Sequence, residues 1–156
     1  MSPTANRCGD AGSVSAAERF LRAVLIFIAA THVPIGAALM LSKTAQLELA
    51  AMYGAAGDFT VREVYLVRIL GSCIVVIGTM AAAAARQPAR NAAAIIAIGE
   101  FFLLRNLQRH LFAGELYEGF GVSSGVNLLT SAVFFALVAA LWWAHRKARR
   151  DASTGG

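Results

Sequence analysis

Residues 99–110, GEFFLLRNLQRH, set Glu100, Arg105, Asn106, Arg109 and His110 into a run that is otherwise apolar. Two further polar groups interrupt apolar runs elsewhere: His32 within THVP and Arg68 within YLVRILGS. An ionisable side chain at mid-membrane costs about 2.5–3.5 kcal/mol on insertion scales, so it pairs, faces a bundle interior or performs a task. Three kinds of chemistry fit these residue types. A carboxylate and a guanidinium can form an ion pair, which makes Arg68 and Glu100 the natural partners. An imidazole and a guanidinium can hold the head of a quinone, with His32 and Arg68 as donors. A carboxylate in lipid can exchange a proton for a solute, which is the carrier's use of Glu100. Asn127, with Thr130 and Ser131 on the same helix face, is a fourth ligand-binding candidate.

Other chemistry is poorly served. The chain contains no H-x-x-x-H, glycine-flanked nucleophile or phosphate loop, so the reading assigns no catalytic residue and no metal ligand and leans away from an enzyme. A bis-histidine haem needs two imidazoles at one depth. His110 lies about 10 Å outward of His32, and His145 falls at the inner surface, which disfavours it. Cys8 and Cys73 sit in different environments and do not pair.

The elements that must position these groups follow from hydropathy. Of the 156 residues 58% are hydrophobic, too many for an ordinary soluble domain of this size. Four runs are long enough to cross a hydrocarbon core: Phe20 to Leu41, Val61 to Ala85, Ala89 to about Leu107, and Val126 to Trp143. None alternates as a barrel strand would, and a lipid-embedded backbone must satisfy its own hydrogen bonds, so each is read as a helix. The expected fold is all-α: an antiparallel bundle of four transmembrane helices, at about 20–41, 61–85, 89–110 and 125–145. Residues 1–15 and 148–156 form polar, disordered tails around a membrane domain at 16–147.

Ser15 with Glu18, and Thr60 with Glu63, have the spacing of capping boxes and mark where the first two helices begin. The first run resembles a signal sequence but is over-long and lacks a small-x-small cleavage site, so it stays as an anchor. Thr44 to Tyr53 suits a short helix lying on the membrane, stopped by Gly54 and Gly57. The segment AGELYEGFGVSSG reads as a glycine-rich loop.

Basic residues fix the orientation, because Lys and Arg near span ends are retained in the cytoplasm. Arg7, Arg19, Arg22, Arg86, Arg90 and the tail HRKARR fall on one side; the opposite loops carry fewer, diluted by acids. Both termini are therefore expected in the cytoplasm of a bacterial inner membrane. The net charge of +5 is an orientation signal and offers no nucleic-acid face. Counted at 1.5 Å per residue, Glu100 lies about 16 Å and His32 about 18 Å from the inner surface, and Arg68 about 10 Å from the outer one. The three are expected to converge on one polar layer. Arg105, Arg109 and His110, where the third helix leaves the lipid, are expected to be interfacial anchors, as are the aromatic residues Tyr117, Phe120, Trp142 and Trp143.

The stretch YLVRILGSCIVVIGTM, the short turn RQPARN and the ending LLRNLQRH resemble the small four-helix membrane proteins called BphX-like and DoxX-like, over about residues 61–127. The resemblance implies a four-helix inner-membrane bundle, and some DoxX-like proteins are quinone-linked subunits. The functional expectation is an accessory or scaffold subunit in the lipid bilayer, beside another membrane protein or further copies of itself. The alternatives are a quinone-binding redox subunit and an oligomeric proton-coupled carrier.

Overall fold

The computed structural model describes residues 15–52 and 58–154. Its order is α1 (Ala16–Leu41), α2 (Lys43–Met52), α3 (Val61–Arg86), a single 3-10 turn (Pro88–Arg90), α4 (Ala92–Leu111), α5 (Ala113–Phe120) and α6 (Ser124–Thr154). No strand occurs among the described residues. The stretch 1–14 and Tyr53, Gly54 and Gly57 lie outside them, so the amino-terminal tail and the stop signals proposed for α2 do too.

Three helices, Ala16–Leu41, Val61–Arg86 and Ser124–Asp151, are long and apolar enough to cross a membrane. The third expected span, α4, is not among them. Its 20 residues reach about 30 Å, but Glu100, Arg105 and Arg109 fall within every 18-residue window of it, too many charges for composition alone to define a span.

The helix starts are chemically specified. The Ser15 hydroxyl accepts the Glu18 N–H at 3.1 Å. At α3 the box is reciprocal: Thr60 Oγ1 accepts the Glu63 N–H at 3.3 Å, and Glu63 Oε2 accepts the Thr60 N–H at 2.7 Å. Ser42 alone separates α1 from α2, and the buried Gln46 folds α2 back by donating to the Leu39 carbonyl at 2.6 Å. Pro34 does not interrupt α1. Two boundaries differ from expectation. The segment at 113–120 is a helix, with no buried residue, closed by Gly121 at φ 65; its Glu and Leu are strong helix formers, and the glycine that stops it comes only at its end. α6 runs on to Thr154, because Arg146 to Arg150 are good helix formers and nothing before Gly155 stops them.

α1 and α3 pack antiparallel, backbone to backbone. A Cβ built on Gly36 would lie 2.7 Å from the Gly71 carbonyl and 2.8 Å from the Val75 nitrogen. One on Gly71 would meet the Gly36 carbonyl at 2.7 Å, and one on Gly78 the Val33 nitrogen at 2.9 Å. Only glycine permits that approach. The core that α4 and α6 complete is Leu21, Leu25 and Ile28 with Ala81, Ala84, Ile95, Ile98, Phe102 and Leu141. α6 returns alongside α1, so that Phe20 meets Trp143 edge to face at 5.8 Å. The start of α1, the 3-10 turn and the end of α6 thus share one end of the bundle, here the tail end. α2 and α5 lie at the other, the loop end.

Candidate functional site

The contacts of α1 give a common height scale. Val33 packs on Gly78, so His32 is level with about Thr79 on α3. The His32 ring also meets Phe102 edge-on at 5.3 Å, which sets the nearby Glu100 at much the same level. Arg68 precedes Thr79 by eleven residues and therefore sits about 16 Å closer to the loop end. The expected polar layer does not assemble: His32 and Glu100 share a height, and Arg68 does not. Arg68 and Glu100 are both exposed and form no ion pair with each other. The separation also divides His32 from Arg68 as joint holders of one quinone head. The count from the ends misplaced Arg68 because it assumed that all helices end at the same two planes.

A different polar group forms where α4 meets α6, toward the loop end. Arg109, expected at the interface, is buried instead. Its Nε donates to Asn127 Oδ1 at 3.0 Å, and Asn127 Nδ2 donates back to the Arg109 carbonyl at 3.2 Å. One turn deeper, Asn106 is 1% exposed and Ser131 2%. Neither amide atom of Asn106 nor the Ser131 hydroxyl hydrogen-bonds another group among the described residues. Below them Phe102 stacks on Phe134 with ring centres 5.6 Å apart. His32 Nδ1 lies 3.0 Å from both the Ile28 carbonyl and Thr31 Oγ1. Thr130 turns its hydroxyl back to the Val126 carbonyl at 2.8 Å and adds nothing to the seam.

Asn106 stands among the polar groups of GEFFLLRNLQRH but not among the candidate ligands. The available signal was spacing: Asn106 continues the row Ile95, Ile98, Phe102, which is the core face of α4. Arg105, half-buried, donates to Gln108 Oε1 at 3.1 Å, and His110 is exposed at the loop end. Trp142 packs its indole against Gly99 near the middle of α4, while Trp143, at the tail end, is exposed with Lys147 Nζ 5.6 Å above its ring.

The α4–α6 seam offers a neutral donor and acceptor from Asn106 and a hydroxyl from Ser131, with a guanidinium at its outer edge. Toward the tail end it is closed by Leu25, Ile95, Ile98 and Leu141, each fully buried. Among the described residues no group of three His, Cys, Asp or Glu is placed to hold a metal ion, and Cys73 is free. Comparison with family models, curated proteins and solved structures finds no match.

Proposed function

We propose that the chain is an accessory subunit of a larger complex in a bacterial inner membrane, crossing it four times with both termini in the cytoplasm. Support for the fourth crossing is a matter of parity. α1 and α3 run antiparallel, and α6 ends beside the start of α1. If α1, α3 and α6 all cross, the chain must return from the end of α3 to the start of α6, and α4 is the segment that connects them. The arginines at the tail end favour that end as the cytoplasmic one. Four spans are also what the resemblance to BphX-like and DoxX-like proteins implies.

One observation carries the accessory role. Glu100, near the middle of α4, is exposed on a stripe formed by Ile96, Leu104, Leu107 and Leu111, between 45% and 67% exposed. A carboxyl group facing hydrocarbon is costly, and a second transmembrane helix offering a donor removes the cost. The occupant proposed for this stripe is therefore a helix of another membrane protein bearing a basic, hydroxyl or amide group at mid-depth. The closed apolar layer beneath the seam argues in the same direction, because a carrier needs a polar path through the bundle.

Native mass spectrometry of the tagged protein, extracted from its own membrane in mild detergent, tests the proposal. A second polypeptide should accompany the wild-type chain and be lost from a folded Glu100→Leu variant. The bare chain or its multiples, with lipid alone, would overturn the accessory reading.

A further inference from the structure

At the tail end, α1, α3 and the 3-10 turn enclose a shallow cleft of about 350 Å³ lined by Glu18, Arg22, Arg86, Gln87, Ala89 and Arg90. Its three arginines come from three elements. Arg22 lies on α1, Arg86 is the last residue of α3 and Arg90 the last of the 3-10 turn. The turn is braced: Pro88 is buried, and the Gln87 carbonyl accepts both the Arg90 N–H at 3.1 Å and Asn91 Nδ2 at 2.9 Å.

Compensation for this charge is slight. Glu18 Oε1 approaches Arg22 no closer than 3.7 Å, and no acid among the described residues pairs with Arg86 or Arg90. Arg22 Nε is buried without a hydrogen-bond partner. Orientation in a membrane needs basic residues on one side, but it does not need three of them from separate elements converging on one braced cleft.

We infer that this cleft binds a phosphate group, carried by an anionic lipid headgroup or by a soluble phosphate ester. Guanidinium forks match phosphate oxygens two at a time, and Arg86 and Arg90, both exposed and with no acid partner among the described residues, have theirs available to one phosphate. The lipid source rests on the four-span reading, which sets the cleft at the headgroup level of the cytoplasmic leaflet; the soluble source does not.

The test uses the full chain, delipidated in detergent. Phosphatidylglycerol and phosphatidylcholine are titrated separately with binding read by native mass spectrometry, and inorganic phosphate is titrated with melting as the readout. The variant Arg22→Lys with Arg86→Lys and Arg90→Lys keeps the charge, and so the orientation signal, but loses the forks. Phosphatidylglycerol should bind the wild type about tenfold more tightly than that variant, while Arg146→Gln with Lys147→Gln on α6 stays within about twofold of wild type. Stabilisation by inorganic phosphate in the wild type alone, without lipid preference, would assign the phosphate to a soluble ester and uphold the site. Should the triple variant not survive extraction, Arg86→Lys alone, at an exposed position, is expected to change binding in the same direction. Equal binding of both lipids with no response to phosphate, or an equal loss in the α6 variant, overturns the inference.

Discussion

Asn127 serves Arg109 through both of its amide atoms, whereas Asn106, just deeper in the same seam, is buried with neither amide atom bonded to the protein. An unmet polar group costs about 1–3 kcal/mol, and replacing it with an apolar group of similar shape relieves that cost. Asn106→Leu should therefore raise the melting midpoint in detergent. Asn127→Leu should lower it, by the equivalent of about 1–3 kcal/mol, because it removes the acceptor of the Arg109 Nε–H and the donor to the Arg109 carbonyl. A fall in the midpoint for Asn106→Leu would mean that this amide meets a group from outside the chain. At this scale the sequence carried residue types better than residue partners. The polar row on α6 was visible in Asn127, Thr130 and Ser131, but its partner on α4 depended on which face of that helix is buried. The Arg68–Glu100 pairing was misjudged because relative height is set by helix contacts such as Val33 on Gly78, and no residue count from assumed membrane surfaces supplies it.

The helices themselves were easier to read, since apolar length and two N-terminal caps specify where α1 and α3 begin. Their mutual arrangement was read only in part. Gly71 and Val75 face α1, whereas Thr79, next to the equally close-packed Gly78, is exposed. The decisive feature is Gly36, whose role depends on a neighbour remote in sequence. Gly36→Ala and Gly78→Ala place a methyl group against backbone that cannot swing aside, so α1 and α3 must separate. Each should destabilise the bundle by about 1–3 kcal/mol. Gly119→Ala in α5, where an added Cβ meets nothing within 4 Å, should be neutral or slightly stabilising. Melting curves of the three variants side by side check the contrast. Equal behaviour would show that the α1–α3 seam is looser than its backbone contacts imply.

For the whole molecule, the charges of α4 and the parity of the chain point in opposite directions. Composition gives three spans, which would leave the termini on opposite faces of the membrane. The Phe20–Trp143 contact brings the beginning of α1 and the end of α6 together, which requires an even number of crossings if the bundle is embedded whole. The difference lies in where the charges of α4 go: Arg109 is buried against α6, Arg105 bonds Gln108, and only Glu100 faces outward near mid-depth. A helix can cross with such residues when the surrounding bundle or a partner satisfies them. Cysteine accessibility in intact and opened spheroplasts decides between the two. In a Cys73→Ser background, the native Cys8 reports the amino end, Ser153→Cys the carboxyl end and Ser123→Cys the loop end. With four crossings, an impermeant maleimide should label Ser123→Cys in intact spheroplasts, and Cys8 and Ser153→Cys only after they are opened. Labelling of Cys8 and Ser153→Cys from opposite sides would reduce the crossings to an odd number. The partner-facing position of Glu100 would fall with the fourth span, since α4 would then lie outside the hydrocarbon and its carboxylate would need nothing more than water.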